Sequence, residues 1–196
     1  MAALSLADQA YRRVLEQGLL LRWSTPEDVE RLAALFCHVF RPQEADPAER
    51  YWVRDMMGGR HPHITGHDFA LVQDTRTGAI VASAGLFANP VTYEDVPFML
   101  GRAVIVATEV PYRDSGLQRA IFELIHARSA ARGHLAQGIT GIPYFYRQFG
   151  YEYAIDLEST RHVYVAALPP LQAGEEAPYA LRPATEQDIP LLLDLY

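Results

Sequence analysis

A strand-like run that leads through a glycine-containing turn into a helix constrains the fold of this chain more than any other feature. The run spans residues 98–108, the turn is Arg113–Gln118, and apolar residues at helical spacing follow as far as Ile125. A strand that feeds a helix in this way points backbone N–H groups and the positive end of the helix dipole at one spot. Gly116 lets an anion approach that spot because it has no Cβ. The pattern predicts an α/β fold, in which the turn is either an anion-binding seat or an ordinary connection.

Composition and charge narrow the class of protein. The chain has 196 residues, 49% of them hydrophobic and 21% charged, so we expect one soluble globular domain or slightly more. It shows neither an apolar run that could span a bilayer nor a secretory signal, which predicts a cytoplasmic protein without a membrane partner. The net charge of −7 argues against a nucleic-acid partner and weakly favours cationic small molecules. Cys37 is the only cysteine, which excludes an intrachain disulfide and a thiolate metal cluster.

The order of periodic segments predicts a mixed sheet with helices on its faces. Two helices have clear boundary signals, because one follows the N-cap Thr25 and Pro26 and the other ends before Gly133. Residues 88–97 are predicted to be an irregular connection. The remaining predicted elements are a helix over 6–17, strands over 19–23, 69–73, 79–87, 98–108 and 135–142, a short helix over 143–149, and strands over 151–157 and 160–167.

A long irregular segment, residues 41–68, is rich in proline, glycine, histidine and acidic residues. Such a segment in a compact domain is usually functional, so we expect it to cover the substrate side of the sheet, with a short helix over 51–57. His61, His63 and His67 have a spacing that fits either metal ligands or polar surface. Without a carboxylate or a fourth ligand at fixed spacing, polar surface is the better interpretation, and no metal site is predicted.

The beginning of the chain recurs near its end. Residues 21–36 align with residues 181–196, and the alternative is that any strand followed by a capped helix looks alike. A true repeat predicts a first domain over 1–168, a linker over 169–178 and the start of a second, truncated domain over 179–196. The identical pairs are Leu21 with Leu181, Arg22 with Arg182, Thr25 with Thr185, Asp28 with Asp188, Leu32 with Leu192, and Leu35 with Leu195.

A second motif lies in Phe145–Tyr151, where Phe-Tyr is followed after three residues by Gly-Tyr. Together with the turn Arg113–Gln118, it resembles the GNAT N-acetyltransferases, which carry Arg or Gln, two variable residues and Gly where the acetyl-CoA pyrophosphate binds. The likeness covers roughly residues 19–167. It implies the GNAT-like acyl-CoA N-acyltransferase fold, an α/β fold with a central mixed sheet of six to seven strands flanked by helices. With the repeat, it implies the N-terminal domain of a tandem GNAT protein.

The resemblance also implies an activity and the residues that perform it. The protein is expected to transfer the acetyl group of its cosubstrate acetyl-CoA to a primary amine, a small cationic molecule, by direct attack on the thioester. By this resemblance Tyr146 is expected to be the general acid that protonates the leaving thiolate, and the alternative is an aromatic residue of the core. The residues that pair with the pantetheine arm are Val106, Ala107 and Thr108. Those whose amides hold the pyrophosphate are Arg113, Asp114, Ser115, Gly116, Leu117 and Gln118.

The general base and the departures from the family pattern leave alternatives open. Glu109, at the end of the predicted central strand, is the first candidate for the base, and Glu94 and Asp95 are the next. An anionic Asp114 beside a pyrophosphate disfavours binding, and Gln118 replaces a small residue. The alternative is therefore a catalytically inactive GNAT-like domain that serves as a CoA-binding or structural module. The sequence carries no signal for the oligomeric state.

Overall fold

The computed structural model describes residues 4–155, 164, 174 and 182–195. The chain divides into two compact units, Met1–Ile155 and Asp156–Tyr196. The first unit contains a six-stranded sheet with the strands in sequence order, of which the first five pair antiparallel and the last pairs parallel. Its strands are β1 (Arg12–Val14), β2 (Leu19–Trp23), β3 (Phe69–Asp74), β4 (Ile80–Tyr93), β5 (Val96–Thr108) and β6 (Ala136–Gly138). Its helices are α1 (Val29–Phe40), α2 (Glu49–Met57) and α3 (Leu117–Ala131).

The two faces of the sheet carry separate apolar cores. Helices α1 and α2 cover one face, where Leu32, Phe36 and Val53 are fully buried against β3 and β4. Helix α3 covers the other face, where Ile121 and Leu124 are fully buried. The mixed sheet with helices on both faces, predicted from the sequence, is confirmed.

The start of α1 is fixed as its sequence predicts. Thr25 and Asp28 form a capping box, in which each side chain meets the backbone of the other, and Pro26 occupies the first turn. The Asp28 carboxylate is also bound by Arg22 on β2, with Nη1···Oδ2 and Nη2···Oδ1 distances of 2.6 and 2.7 Å. This buried pair anchors the helix to the strand that precedes it.

The prediction of an irregular connection over residues 88–97 is wrong, because these residues extend β4 and β5 into a long β-hairpin. Strands β4 and β5 pair from Tyr93 opposite Val96 back to Ala82 opposite Thr108. Glu94 and Asp95 form the two-residue turn, in which Glu94 has a φ of 51°. Pro90 suggested a turn, but it lies opposite Met99 within the paired strands β4 and β5, so the strand pairing outweighs the local preference of proline.

The predicted helix over residues 6–17 is also wrong. These residues form turns, the short edge strand β1 and a 3₁₀ helix at Glu16–Gly18. Their carbonyl groups are used by buried side chains instead: the Trp23 indole N–H donates to Leu6, and Arg128 donates to Ala7. Tertiary hydrogen bonds replace the helical ones here.

The C-terminal part of the first unit is less regular than predicted. Residues 136–138 form only a short strand, and Phe145–Phe149 forms the predicted short helix as a 3₁₀ helix. Residues 151–155 are irregular, where a strand was predicted, and the Tyr151 hydroxyl donates to Gln137 instead. The predicted strand over 160–167 lies outside the described residues apart from residue 164. None of the described helices is both long and apolar enough to cross a bilayer.

The described part of the second unit repeats the helix start of the first. Residues 182–195 contain a 3₁₀ helix at Glu186–Asp188 and helix α4 (Ile189–Asp194). Thr185 and Asp188 form a capping box, and Arg182 binds Asp188 with distances of 2.7 and 2.6 Å. The same three residue types therefore adopt the same bonding pattern at both places in the chain.

Candidate active site

The sheet opens between its last two strands. Strand β5 pairs with β6 only over Leu100–Arg102, opposite Ala136–Gly138. From Ala103 to Thr108, β5 pairs with β4 on one side and has no strand partner on the other among the described residues. This free edge can accept an extended ligand through backbone hydrogen bonds. The predicted pantetheine-binding residues Val106, Ala107 and Thr108 lie on it.

A β-bulge at Ile105 interrupts the same strand. Ser83 pairs with Ala107 and Gly85 with Val104, so β5 has one residue more than β4 between these pairs. Ile105 has a φ of 47°, in the left-handed region that a β-branched residue rarely adopts. Such backbone strain, of the order of 1–3 kcal/mol, persists where the surrounding structure enforces it, and it concentrates at functional sites.

The turn after β5 presents an uncapped helix start. Gly116 adopts a left-handed conformation with a φ of 76° and precedes α3, whose first turn receives no side-chain cap among the described residues. A Cβ built on Gly116 would meet no atom within 4 Å, so the space in front of the turn is open. Free N–H groups at the positive end of a fifteen-residue helix are of the kind that bind anions in proteins. The anion-binding seat stays a prediction.

The side chains of the turn are engaged with the strand end. Gln118 donates through Nε2 to the carbonyl of Ala107 at 2.8 Å and to Oγ1 of Thr108 at 2.9 Å. Arg113 donates through Nε to the carbonyl of Thr108 at 3.3 Å. Asp114 is exposed and adopts a φ of 58°. The Nε2 group of Gln118 therefore ties α3 to β5 and is not available to a ligand.

A cavity of about 380 Å³ lies beside the bulge. Strand β5 contributes five consecutive residues to its wall, from Arg102 to Val106, and α2 contributes three. Its complete lining is Trp52, Asp55, Met56, His61, Phe87, Arg102, Ala103, Val104, Ile105, Val106, Ile139, Thr140 and Tyr146. The segment over residues 41–68, which was expected to cover one side of the sheet, contributes α2 and His61 to the wall of this cavity.

Tyr146 is the predicted catalytic residue that the structure places in this cavity. Its ring packs among aromatic neighbours, with centroids 5.0 Å from Phe145, 5.9 Å from Phe122 and 6.3 Å from Tyr151. Its hydroxyl has no hydrogen-bond partner among the described residues. Burial raises the pKa of the phenol, so the group carries its proton at neutral pH. A Cβ at Gly141 would lie 2.5 Å from Cε2 of Tyr146, so only glycine lets the backbone approach the ring this closely.

The carboxylates predicted as bases do not line the cavity. Glu109 follows β5, and its Oε1 lies 2.8 Å from Nδ1 of His38 on α1. Glu94 and Asp95 lie at the tip of the β4–β5 hairpin, roughly 30 Å of strand away from Ile105. The carboxylate that does line the cavity is Asp55 on α2.

The histidines of the H-x-H-x3-H pattern have separate surroundings. The His61 ring lies 5.0 Å from that of Phe87 in the cavity wall, and His63 Nδ1 lies 3.1 Å from the carbonyl oxygen of Ala88. No group of three or more metal-ligating side chains comes together within the described ranges. These contacts place His61 in the wall of the cavity.

Sequence reasoning missed three features of the site, namely the bulge at Ile105, Asp55 and Arg102. Asp55 and the cavity could have been sought on the short helix predicted over 51–57. Arg102 lies within the predicted strand, six residues before its end. The bulge has no local sequence signal, because isoleucine is a strand former with little tendency to adopt a positive φ.

Comparison with known proteins agrees with this architecture. The chain matches the family described as acetyltransferase (GNAT) domain over residues 21–154, more than half of its length. A search of curated proteins gave no match.

Three solved structures share the fold. An acetyltransferase of Trypanosoma brucei is 22% identical with a TM-score of 0.57, and the match covers 74% of this chain and 99% of that one. The aminoglycoside N-acetyltransferase AAC(6')-Iy in complex with CoA is 11% identical with a TM-score of 0.56, covering 76% of this chain and 99% of that one. A conserved Enterococcus faecalis protein, described as a probable N-acyltransferase, is 18% identical with a TM-score of 0.57, covering 68% of this chain and 32% of that one. These likenesses confirm the fold predicted from the sequence.

Proposed function

Because the chain belongs to the acetyltransferase (GNAT) domain family, we propose that it is an N-acetyltransferase that uses acetyl-CoA to acetylate the primary amine of a small molecule. The observation that carries this proposal is the arrangement along β5. The phenol of Tyr146 and the bulged backbone at Ile105 line one cavity, and the free edge of the same strand leads from there to the uncapped start of α3.

The free edge and the turn fit the parts of acetyl-CoA. The open space in front of Gly116 leaves room for a phosphate against the N–H groups of α3. The edge from Val106 to Thr108 would hold the pantetheine arm, and the amides from Arg113 to Gln118 would hold the pyrophosphate. The CoA bound to a protein of the same fold supports this assignment. When bound, acetyl-CoA supplies an activated acetyl thioester.

The chain's own groups then provide orientation and a proton. The bulge leaves Ile105 without a register partner in β4, and its backbone N–H would donate to the thioester carbonyl oxygen, which becomes more negative during the transfer. Tyr146 gives its phenolic proton to the leaving thiolate, a transfer that its aromatic packing favours by holding the ring in one position. The amine nitrogen takes the acetyl group, and it must lose a proton to do so.

Two carboxylates compete for the role of the group that receives the amine proton. Glu109 was predicted from the sequence, and it reaches the site only through a relay because its carboxylate binds His38 outside the cavity. Asp55 lines the cavity itself. We assign the amine-facing role to Asp55. Asp55→Asn should then lower kcat/KM more than Glu109→Gln does, and the reverse order would return the role to Glu109.

The first test is binding of the cosubstrate. Acetyl-CoA at a hundred times its dissociation constant should stabilise the protein by about 2.7 kcal/mol, measured as an increase in Tm. The second test is Tyr146→Phe, which should slow acetyl transfer by about 100-fold while acetyl-CoA binds as before. Tyr151→Phe is the matched control, because it removes a neighbouring phenol that donates to Gln137 and lies outside the cavity lining. Equal turnover by Tyr146→Phe and the parent protein would contradict the assignment.

The alternative function, an inactive module that binds CoA or only supports a larger protein, is favoured by one observation. The Asp114 carboxylate is exposed in the turn that would hold the pyrophosphate, where a negative charge opposes binding. Acetyl-CoA binding without transfer to any amine would support a CoA-binding module. No increase in Tm at millimolar acetyl-CoA would leave only a structural role.

We further propose the domain organisation predicted from the repeat. The recurrence of the Arg–Thr–Asp bonding pattern at Arg182, Thr185 and Asp188 supports a second domain of the same kind after a linker over 169–178. The Enterococcus faecalis protein, of which this chain matches 32%, shows that the fold occurs within a longer chain. Limited proteolysis of the full-length parent should cut within residues 169–178, and resistance of this segment would argue against a linker.

A further inference from the structure

Arg102 places a guanidinium group in the wall of the cavity. Along β5 it lies opposite Phe87 of β4 and two residues from Val104, and both of these pack against the core under α1 and α2. Side chains alternate along a strand, so Arg102 belongs to the same face. Its hydrogen bond among the described residues is a long one, from Nη2 to Oγ1 of Thr140 at 3.4 Å.

Most other arginines of the first unit are paired with acids. Arg22 binds Asp28, Arg54 binds Glu30, and Arg128 and Arg132 approach Asp68. For Arg102, no carboxylate lies within 4.0 Å in the described part of the chain. A guanidinium presents five N–H donors in a planar fork that matches carboxylate and phosphate groups. Beside apolar walls, such an unpaired fork favours an anionic group as its partner.

The opposite charge in the cavity comes from Asp55. Asp55 and Arg102 both line the cavity, yet they form no ion pair with each other. A ligand that carries both an ammonium and an anionic group could therefore satisfy both side chains at once. Trp52 and Phe87 supply aromatic surface for the rest of such a ligand.

We propose that Arg102 binds an anionic group, a carboxylate or a phosphate, on the acceptor amine, and that the acceptor is therefore zwitterionic rather than purely cationic. This inference rests on the function proposed above and specifies its acceptor. It revises the expectation drawn from net charge, because the charge that decides binding is the one in the cavity rather than the total of −7.

Arg102 is too far from the turn to be part of the phosphate seat of the cosubstrate. Thr108 lies six positions further along β5, a distance of roughly 20 Å at the usual rise per residue. The turn and the start of α3 lie beyond that end of the strand. The anionic group bound by Arg102 therefore belongs to the acceptor.

The test compares amines that differ in one charged group. Phenylalanine is paired with phenethylamine for the carboxylate, and O-phosphoethanolamine with ethanolamine for the phosphate. The wild-type protein should have the higher kcat/KM for the anionic member of at least one pair, and that pair identifies the group. Arg102→Gln should reduce this preference by about 10- to 100-fold, the range for a lost hydrogen bond to a charged group. Arg102→Lys, which keeps the charge, should retain part of it.

Arg13→Gln is the matched control, because Arg13 pairs with Glu123 at the surface and lies outside the cavity lining. It should keep the wild-type preference. The proposal is overturned if Arg102→Gln leaves the preference unchanged, if neither anionic amine is preferred by the wild type, or if the variant loses acetyl-CoA affinity to the same extent as amine affinity.

A binding experiment separates this inference from the proposed activity. In the presence of CoA, isothermal titration with phenylalanine and with O-phosphoethanolamine measures the acceptor site without any transfer. Binding of one of them by the wild type and its loss in Arg102→Gln would support the anion site even if no amine is acetylated. Absence of binding of both would overturn it, whatever the outcome for acetyl transfer.

Discussion

Replacing Asp28 by asparagine should strongly destabilise the first unit. The Asp28 side chain is fully buried and accepts two hydrogen bonds from Arg22, one from the Thr25 N–H at 2.9 Å and one from Arg31. Asparagine offers an NH₂ group where the carboxylate offered a second oxygen. It therefore turns a donor toward the guanidinium of Arg22 and leaves that buried cation without a counter-ion.

The expected cost follows from this burial. Removing one partner of a buried ion pair costs about 3–5 kcal/mol, because the remaining charge stays desolvated. For a domain of this size, each kcal/mol lowers Tm by about 2–4 °C, so Asp28→Asn should lower it by roughly 6–20 °C. Urea denaturation followed by circular dichroism measures the free energy of unfolding. An m-value equal to that of the parent protein would show that both proteins expose the same surface on unfolding, so that their free energies can be compared.

The chain contains its own control for this experiment. Asp188 has the same bonds from Arg182 and Thr185, but the side chains of Arg182 and Asp188 are 64% and 19% exposed, against 8% and 0% for Arg22 and Asp28. Asp188→Asn should leave the main unfolding transition unchanged, since water solvates an exposed cation. A loss below about 1 kcal/mol for Asp28→Asn would refute the argument from burial, as would equal changes for the two variants.

The pH dependence gives an independent check. Burial alone would raise the pKa of Asp28, but hydrogen bonds from Arg22 and Thr25, with the charges of Arg22 and Arg31, outweigh it and lower this pKa. A carboxyl group with a lowered pKa stabilises the folded state above its unfolded value, about 3.9, and this contribution disappears as the pH falls through the folded value. The difference in stability between the parent protein and Asp28→Asn should therefore be constant near neutrality and shrink below about pH 4. A difference that grows as the pH falls would contradict this sign.

Three further predictions concern the candidate site. Asp114→Asn removes a negative charge from the turn and keeps a residue type that tolerates a positive φ. It should therefore tighten acetyl-CoA binding about threefold at low salt and less at high salt, as measured by isothermal titration. Gly141→Ala should displace the Tyr146 ring and lower kcat by about 10- to 100-fold, whereas Gly138→Ala, whose Cβ would lie 3.4 Å from the nearest atom, should have little effect. Gln118→Met removes two hydrogen bonds, which destabilises the fold, and also removes the buried Oε1 atom that has no partner among the described residues, which stabilises it. Because the two effects oppose each other, the free energy of unfolding measured by chemical denaturation should change by less than about 1.5 kcal/mol.

The parts of the fold that the sequence predicts correctly are those fixed by local interactions. Thr25, Pro26 and Asp28 determine the start of α1 through bonds within a single turn. Gly133 follows the end of α3 with a φ of 71°, which few other residues would adopt. The predictions that failed depend on distant partners. The N-terminal segment has helical periodicity, yet Trp23 and Arg128 take its carbonyl groups.

The two motifs of the candidate site could be recognised in the sequence, but the residues that form the walls of the cavity could not. The turn at Gly116 and the aromatic motif at Tyr146 occur in the sequence as contiguous patterns, and the structure gives both the expected local geometry. The walls of the cavity come from α2, β4, β5, the segments around His61 and Thr140, and the 3₁₀ helix that carries Tyr146. No local pattern places Asp55 near Arg102, because their proximity follows from how a helix lies across a sheet.

The bulge explains why strand periodicity could not have assigned the cavity residues. Strict alternation along β5 would put Arg102, Val104 and Val106 on one face and Ile105 on the other. The extra residue at Ile105 shifts this phase, so Val104 and Ile105 both pack against the core under α1 and α2 while Val106 packs against the α3 core. Val104 thus shares the face of Arg102, which we propose to face the acceptor, whereas Val106 lies on the free edge of β5 on the side of α3. A single strained position therefore joins the two halves of the site, and an insertion or deletion in β5 would separate them even if every other residue were retained.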